Sequence, residues 1–262
     1  MNDGLSPFTI SSTIGQRSRA NPHRLVQRYS GALASFDAGR GCPFECSFCT
    51  IINVQGRKPR GRNPDDVELV VRRNYTRGVH RYFITDDDFA RHRNWEMIFD
   101  RLIKLREEEG LKISFTIQVD TASYRLPRFI EKAARAGCTK IFLGLESINP
   151  ESLRGTGKRQ NRVEEYRQML LAWRKHRVIT CAGYILGFPS DTYGSVMRDI
   201  ETITRELPID LLEFFILSPL PGSEDHKKLH ARGVWMDTDW NKYDTEHVVL
   251  AHDLCLLRKH HV

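Results

Sequence analysis

The sequence predicts an α/β fold built from parallel strands and crossover helices. Runs rich in aliphatic, aromatic and β-branched side chains recur six times, and a helix-like stretch follows each of them. The intervals between the runs are long enough for a helix to return the chain to a parallel neighbour. The length of 262 residues, with 40% hydrophobic residues, fits one sizeable core. Two architectures satisfy this alternation, an open doubly wound sheet and an open partial barrel.

The predicted elements are bounded by recognisable start and stop signals. The strands are predicted at residues 32–36, 81–85, 113–119, 140–145, 179–186 and 211–217. The helices between them are predicted at residues 67–77, 95–109, 128–136, 163–175 and 193–207. Asn63 precedes the first helix as an N-cap, and Gly78 follows it. Gly110 and Gly137 end the next two helices as left-handed caps.

The regions outside this alternation are expected to be short and simple. Residues 1–31 are polar and aperiodic, so we expect an extended arm or linker there. Residues 32–235 are expected to form the core domain, and residues 236–262 a short C-terminal tail. His260 and His261 at the end of the tail are interpreted as a solvated terminus instead of a metal-binding tract.

Charge and apolar content narrow the class of protein. The net charge of +7 is spread largely over helices that mix arginine with glutamate, a pattern typical of solvated faces, so nucleic acid is not the expected partner. The compact basic cluster at residues 57–62 is either a solvated loop or a contact for an anion. No apolar run approaches the roughly 20 residues of a membrane span, and no secretory signal opens the sequence. A reducing, cytoplasmic location is therefore expected.

Three closely spaced cysteines are the most specific feature of the sequence. Cys42, Cys46 and Cys49 follow the first predicted strand in the spacing C-x3-C-x2-C, with Phe48 before the last of them. Three thiolates on one loop can hold three corners of a four-iron cluster and leave the fourth iron open for a ligand. A zinc site would require a fourth ligand at finger-like spacing, and three clustered cysteines do not pair evenly into disulfides. The other cysteines, interpreted as buried or incidental thiols, are Cys138, Cys181 and Cys255.

The C-x3-C-x-Phe-C run resembles the cysteine motif of the radical S-adenosylmethionine (radical SAM) superfamily. The resemblance implies a four-iron four-sulfur cluster on these cysteines that cleaves S-adenosylmethionine reductively and generates a 5′-deoxyadenosyl radical acting on a substrate. It also implies a partial (β/α)6 barrel of the TIM-like type, in agreement with a first βα loop that carries cysteines and no G-x-G-x-x-G run. A reductant such as a flavodoxin or ferredoxin is the implied partner.

Further candidate site residues lie at or directly after the carboxyl ends of the second, third and fourth predicted strands, where an α/β barrel carries its active site. By similarity to the superfamily's Gly-Gly-Glu position, Asp87, or else Asp86, is expected to accept hydrogen bonds from the ammonium group of S-adenosylmethionine. Gln118 should point to the opposite face of its strand from its apolar neighbours, and both a ligand contact and a structural hydrogen bond are open for it. Glu146 lies in a Gly-x-Glu-Ser run that resembles the family's ribose-contacting segment.

Two other segments complete the expected cofactor site. Lys158 lies in a loop after the fourth strand and is either a contact for the methionyl carboxylate or an exposed lysine. The fifth strand and its exit read G-x-I-x-G-x-P and resemble the adenine-binding segment of the superfamily. The expected contacts in this segment are Gly183, Ile185, Gly187 and Pro189.

The sixth strand ends in a Pro-x-Pro-Gly-Ser run at residues 219–223 that resembles cobalamin-dependent members, which often transfer methyl groups to unreactive carbons. A rigid turn is the other interpretation of this run. Residues 1–31 are too few for a cobalamin-binding domain, so three alternatives are open: the chain is a core fragment, cobalamin comes from elsewhere, or cobalamin is not used. Two other classes remain open: a non-catalytic iron–sulfur protein for electron transfer or sensing, and a zinc-binding loop on an ordinary barrel.

Overall fold

The computed structural model describes residues 33–250. The arm expected at residues 1–31, Ala32 of the first predicted strand, and Cys255 lie outside the described residues, and the expected tail is described only as far as Leu250. None of the helices formed by residues 33–250 has both the length and the apolar character needed to cross a membrane.

Six parallel strands form the central sheet, and each lies beside the next along the chain. In chain order the strands are β1 (Leu33–Phe36), β2 (Gly39–Arg40), β3 (Arg60–Gly61), β4 (Arg81–Ile84), β5 (Ser114–Val119), β6 (Cys138–Glu146), β7 (Ile179–Leu186) and β8 (Leu211–Ile216). The order across the large sheet is β1-β4-β5-β6-β7-β8, and every neighbouring pair is parallel. A doubly wound sheet reverses its order at a switch point, whereas this order runs in one direction, as in a partial barrel. The predicted fold class is confirmed.

Helices fill the connections between the strands. Their bounds are Ile51–Val54, Pro64–Tyr75, Trp95–Glu107, Phe129–Ala136, Pro150–Gly155, Tyr166–Lys175, Tyr193–Glu206 and Glu224–Ala231. Short 3-10 turns lie at Phe89–Arg91, Thr121–Arg125, Val163–Glu165 and Trp240–Lys242. The predicted helix at 67–77 begins earlier, because Pro64 occupies the first helical position and the side chain of Asn63 accepts a hydrogen bond from the N–H of Asp65. The sequence analysis gives no bounds for the first, fifth and last helices, of which the first two are too short, with four and six residues, to show a clear helical period.

The two faces of the sheet differ as the alternation of side chains predicts. On β5, Ile117 and Val119 are buried, and Gln118 between them is half-buried on the opposite face. Gln118 Nε2 donates a hydrogen bond to the carbonyl of Asp86 at 3.2 Å. This residue therefore makes the structural hydrogen bond that is one of its two expected roles. Large aromatic side chains without exposed surface fill the core between the sheet and the helices, among them Phe99, Phe129 and Trp173.

A short antiparallel ladder between β2 and β3 closes the base of the loop that carries Cys42, Cys46 and Cys49. Gly39 pairs with Gly61, and Arg40 pairs with Arg60. Part of the basic cluster therefore lies in a strand, where the sequence predicts a loop, because its pairing partner is too distant along the chain to be recognised. The imidazole of His92 packs against both glycines: an added Cβ would lie 2.6 Å from His92 Cδ2 at Gly39 and 2.1 Å from His92 Nε2 at Gly61. Both positions thus require glycine for this close approach.

Residues 236–250 fold back toward the last strand of the sheet. The carbonyl of Thr245 accepts a hydrogen bond from the N–H of Ile216 at 2.7 Å, and Met236 pairs with Leu250 in an antiparallel bridge. Val249 is fully buried. The described part of the expected tail is therefore packed against the domain, while the domain boundary near residue 236 stays a prediction.

Candidate functional site

The three cysteines of the motif lie on one short, hydrogen-bonded loop. This cysteine loop, residues 41–49, follows β1 and β2 and leads into the helix Ile51–Val54. Cys46 is buried, Cys42 and Cys49 are half-buried, and all three are free thiols. The N–H of Cys49 donates to the carbonyl of Cys46 at 3.1 Å, and the N–H of Cys42 donates to the carbonyl of Gly56 at 3.3 Å. The loop conformation is thus set by its own backbone.

Burial and nearby negative charges oppose ionisation of the Cys42 and Cys49 thiols. The pKa of Cys42 is raised to about 12, chiefly by burial and further by the nearby charges of Asp88, Cys46 and Cys49. The pKa of Cys49 is also raised, chiefly by burial, although the positive charge of Lys158 acts in the opposite direction. Because metal ligands bind as thiolates, a bound cationic group would offset this cost.

This set of donors fits an iron–sulfur cluster. Within residues 33–250, no three histidine, cysteine, aspartate or glutamate side chains are arranged to hold a single metal ion. A four-iron cluster takes each thiolate on a different iron, so its ligands stand further apart than those around one ion. Cys42, Cys46 and Cys49 are free and share one loop, and burial raises the pKa of two of them, Cys42 and Cys49. They remain the predicted ligands of the cluster.

The carboxylates that follow β4 anchor the base of the cysteine loop. Asp86 is only 2% exposed, and its Oδ1 accepts hydrogen bonds from the N–H groups of Ala38 at 2.7 Å and Gly39 at 2.8 Å. Asp87 Oδ2 accepts a hydrogen bond from the N–H of Gly41 at 2.7 Å. Both side chains therefore position the backbone that leads to the first cysteine. A direct contact between either carboxylate and a cofactor stays a prediction.

Asp86 should make the stability of the chain depend on pH. Burial raises its pKa from the ordinary value of 3.8 to about 7, against the lowering effect of the two backbone hydrogen bonds. The folded chain therefore holds this proton more tightly than the unfolded chain, and the free energy of unfolding falls as the pH rises from about 4 to about 7, by about 4 kcal/mol at most. Asp86→Asn keeps both hydrogen bonds and removes the charge, so it should flatten this part of the pH profile.

Urea unfolding at pH 5 and pH 8 measures this effect. The difference in unfolding free energy between the two pH values should be smaller for Asp86→Asn than for the wild type. Asp66→Asn, on the exposed first turn of the helix Pro64–Tyr75, is the matched control and should follow the wild type. Parallel profiles for all three proteins would show that Asp86 does not titrate in the folded chain above its ordinary range.

Glu146 and Lys158 form a buried ion pair at the carboxyl end of β6. Lys158 Nζ lies 2.6 Å from Glu146 Oε1, and the two side chains are 12% and 11% exposed. The pair lies over Gly144, where an added Cβ would be 2.2 Å from Glu146 Oε1 and 2.8 Å from Lys158 Nζ. Lys158 Nζ also lies 5.9 Å from the ring centre of Phe48 in the cysteine loop. The pair therefore joins β6 to the cysteine loop, and the interpretation of Lys158 as an exposed lysine is wrong.

The charge of Lys158 is stabilised by its neighbours. Burial lowers the pKa of Lys158, but the negative charges of Glu146 and Cys46 outweigh burial and raise it above the ordinary value. Lys158 is therefore a permanent cation beside the cysteine loop. Such a charge favours the thiolate form of Cys49.

The backbone at Glu146 is held in an uncommon conformation that directs its side chain. Its φ of 63° lies in the left-handed region, and the register between β6 and β7 shifts between Gly144 and Glu146. This conformation costs of order 1–3 kcal/mol for a residue other than glycine and persists only where the surroundings fix it. Asn161 supplies that support, because its Nδ2 donates to the carbonyls of Gly144 and Leu145, both at 2.9 Å. Asn161 Oδ1 in turn accepts a hydrogen bond from Thr121 Oγ1 at 2.9 Å.

A second charge cluster contacts the cysteine loop through Phe44. Asp120, at the end of β5, accepts two hydrogen bonds from Arg91 at 2.8 and 2.9 Å. The guanidinium of Arg91 lies 5.4 Å from the ring centre of Phe44. Burial raises the pKa of Asp88 well above its ordinary value, and the charge of the neighbouring Asp120 raises it further. Arg91 and Lys158 thus bring two positive charges to the loop that carries the thiols.

The predicted contacts within β7 face away from the outer helices. Tyr184 donates a hydrogen bond to Asp199 on the helix Tyr193–Glu206, so Gly183 and Ile185 lie on the other face of the strand. An added Cβ at Gly183 would lie 2.9 Å from the ring of Phe142 and 3.0 Å from that of Phe215. These two rings fill the space over Gly183 that the sequence assigns to a flat ligand. Contact with a cofactor at Gly183 or Ile185 stays a prediction.

The exit of β7 contacts the cysteine loop. Gly187 has a φ of 106°, which favours glycine, and its N–H donates to Asp191 Oδ2 at 2.9 Å. The ring of Phe188 is fully buried and lies 6.3 Å from that of Phe48. Pro189 is exposed. Gly187 and Pro189 therefore lie next to the loop of the predicted cluster ligands, and their contact with adenine remains a prediction.

The run that follows β8 forms a turn that also reaches the cysteine loop. Ser223 caps the helix Glu224–Ala231, as the rigid-turn interpretation requires. Asp225, at the start of that helix, accepts a hydrogen bond from Ser47 Oγ at 3.0 Å and donates its N–H to the carbonyl of Ser47 at 3.0 Å. These contacts do not test whether the run binds cobalamin, so that role stays a prediction.

The structure thus brings the cysteine loop, the Glu146–Lys158 pair and the exit of β7 to one edge of the sheet. Three residues that contact this site are not signalled by the sequence: Gln160, Asn161 and Asp225. They are polar residues at loop or helix-start positions, where neither periodicity nor spacing distinguishes a functional side chain from a solvated one.

The fold and site define a parallel α/β barrel with a three-cysteine loop at the carboxyl ends of its strands. The chain belongs to the Radical SAM superfamily, whose family model matches residues 37–203. The matched region contains the cysteine loop, the Glu146–Lys158 pair and the β7 segment.

Curated relatives and a solved structure extend this similarity. The chain is 29% identical over 231 residues to bacteriochlorophyllide d C-12(1)-methyltransferase of Chlorobaculum tepidum, covering 87% of this chain and 48% of the relative. It is 31% identical over 212 residues to an uncharacterised methyltransferase of Pyrococcus horikoshii, covering 79% and 44%. The radical S-adenosylmethionine methyltransferase TsrM of Kitasatospora setae has a similar fold, with a TM-score of 0.71 at 18% identity over 90% of this chain and 45% of TsrM. TsrM has also been solved with cobalamin and a [4Fe-4S] cluster bound. The chain spans just under half the length of each of these proteins.

Proposed function

We propose that this chain is a radical SAM enzyme that binds S-adenosylmethionine beside a four-iron four-sulfur cluster, cleaves it reductively, and thereby supports methyl transfer to carbon. The observation that carries the proposal is the contact between the cysteine loop and the buried Glu146–Lys158 pair, made through Phe48 at 5.9 Å from Lys158 Nζ. Membership of the superfamily supports the cleavage chemistry, and the methyltransferase names of the relatives support the transfer.

The bound cluster and S-adenosylmethionine together supply one-electron cleavage of the carbon–sulfur bond, which yields methionine and a 5′-deoxyadenosyl radical. The residues of the chain bind and orient these groups. Cys42, Cys46 and Cys49 hold three irons, and Glu146 accepts hydrogen bonds from a hydroxyl or ammonium group of S-adenosylmethionine. Lys158 holds the carboxylate of Glu146 in place and keeps positive charge next to the thiolates.

Partners and cellular conditions follow from this chemistry. The cluster requires an electron donor, and we propose a flavodoxin or ferredoxin in a reducing, cytoplasmic environment. The substrate is proposed only as an organic molecule with a carbon atom that accepts a methyl group. We assign cobalamin to the methyl-transfer step alone, so the cleavage of S-adenosylmethionine should be measured both with and without cobalamin.

Anaerobic cleavage of S-adenosylmethionine tests the proposal. The chain reconstituted with iron and sulfide and reduced with dithionite should release 5′-deoxyadenosine and methionine in equal amounts, slowly and without added substrate, as quantified by mass spectrometry. A fully loaded cluster with no cleavage would instead support an electron-transfer or sensor protein. Purified protein that contains zinc and takes up no iron would support a structural zinc loop.

A further inference from the structure

Gln160 presents its amide to the cysteine loop. Its Nε2 lies 3.8 Å from Cys46 Sγ, within hydrogen-bond distance for a sulfur acceptor. Its Oε1 is buried and has no hydrogen-bond partner in the described part of the chain. Cys46 is itself only 6% exposed, so the contact is shielded from water. One half of this amide therefore has a partner in the protein, and the other half does not.

The loop that carries Gln160 is docked on the cysteine loop at several points. The carbonyl of Thr156 accepts a hydrogen bond from the N–H of Ser47 at 2.9 Å. Gly157 approaches the cysteine loop so closely that an added Cβ would lie 2.7 Å from the carbonyl oxygen of Glu45, and its φ of 71° also favours glycine. Asn161 anchors the other side of Gln160 to β6. The backbone on both sides of Gln160 is therefore fixed relative to Cys46.

The chemistry of the two ends of the amide differs. An N–H group that points at a thiolate stabilises negative charge on sulfur, and hydrogen bonds to cluster sulfurs are among the factors that set the reduction potential of the cluster. A buried carbonyl oxygen without a donor costs free energy, and such atoms are rare in folded proteins. A bound molecule with an N–H or O–H group would satisfy it, and S-adenosylmethionine carries both an ammonium group and ribose hydroxyls.

We propose that Gln160 is a cofactor-contacting residue that bridges the cluster and the bound S-adenosylmethionine. Its Nε2 donates to the thiolate of Cys46 and raises the reduction potential of the cluster. Its Oε1 accepts a hydrogen bond from an N–H or O–H group of S-adenosylmethionine. This inference rests on the proposed function, because it requires both groups to bind here.

Gln160→Met tests both contacts, since methionine keeps the length of the side chain and loses the amide. The midpoint potential of the reconstituted cluster, measured without S-adenosylmethionine, should fall by about 59 mV, which is a tenfold shift of a one-electron equilibrium. The affinity for S-adenosylmethionine, measured by calorimetry, should fall about three- to tenfold. Gln168→Met makes the same chemical change on the exposed face of the helix Tyr166–Lys175 and should change neither value.

A second variant distinguishes the loss of a single contact from a general disruption of the fold. Gln160→Glu keeps an acceptor oxygen and loses the N–H donor, so it should lower the potential while the affinity is retained. An unchanged potential or an unchanged affinity in a fully loaded Gln160→Met protein would overturn the bridging role while leaving the proposed function intact. A wild-type chain that takes up no cluster, or that binds no S-adenosylmethionine, would overturn the proposed function and this inference together.

Discussion

Replacing Cys42, Cys46 and Cys49 together by alanine is expected to abolish iron binding. The wild-type chain reconstituted without oxygen should hold about four irons, each of the three thiolates being bound to a different one. The triple variant removes every predicted protein ligand from the cysteine loop, so iron content by colorimetric assay should fall close to zero. The broad absorption of the cluster in the visible range should be lost with it.

Two buried cysteines elsewhere in the fold provide the matched controls. Cys138 lies at the start of β6, where its Sγ contacts the carbonyl of Lys140 at 3.4 Å. Cys181 on β7 donates to Glu213 Oε1 at 3.1 Å. Cys138→Ala and Cys181→Ala should each retain the full iron content. Loss of iron in either variant, or in a variant of Cys255, would contradict a cluster held by three cysteines with one open iron.

Glu146→Gln should weaken the binding of S-adenosylmethionine by about tenfold or more, because a charge-assisted hydrogen bond is lost. It should also destabilise the chain, because Lys158 is left as a buried charge without its partner, a loss of about 3–5 kcal/mol in fully buried pairs. The side chains here retain 11–12% exposure, so the lower end of this range is expected. Calorimetry on the reconstituted protein measures the first effect, and urea unfolding measures the second.

A double variant separates the two effects. Glu146→Gln combined with Lys158→Met removes both charges, so it should recover much of the lost stability while the affinity for S-adenosylmethionine stays low. The exposed pair Glu201 and Arg205, 3.2 Å apart on the helix Tyr193–Glu206, is the control. Glu201→Gln should change stability by about 0.3–0.5 kcal/mol and leave the affinity unchanged. If the affinity of every Glu146 variant matched that of the wild type, Glu146 would be a structural residue.

The sheet and the cysteine loop could be predicted because their signals are local. The strands of the large sheet are short runs rich in apolar side chains, and the strand predicted at residues 179–186 coincides with β7 (Ile179–Leu186). The alternation of buried and half-buried side chains at Ile117, Gln118 and Val119 likewise depends only on adjacent positions in the chain. The spacing of the cysteines lies within one loop, so it could be recognised without any knowledge of the packing.

The hydrogen-bonded partners of the site residues could not be predicted because they are distant in the sequence. Asp86 and Asp87 follow β4 as a carboxylate cluster resembling a ligand site, yet they bond to backbone groups 46 to 48 residues away. The counter-ion of the buried Lys158 is Glu146, which lies 12 residues earlier in the chain. The space over Gly183 is filled by Phe142 and Phe215 from the neighbouring strands, which depends on cross-strand register. Tertiary contacts of this kind leave no periodic pattern in the chain.

The electron paramagnetic resonance spectrum of the reduced, reconstituted chain tests the open iron most directly. The spectrum should be recorded before and after the addition of S-adenosylmethionine, and again with the amino group labelled with nitrogen-15. A cluster held by Cys42, Cys46 and Cys49 alone should change its g-values when the open iron gains a ligand, and the label should add a hyperfine coupling. A loaded cluster whose spectrum is identical with and without saturating S-adenosylmethionine would contradict the assignment.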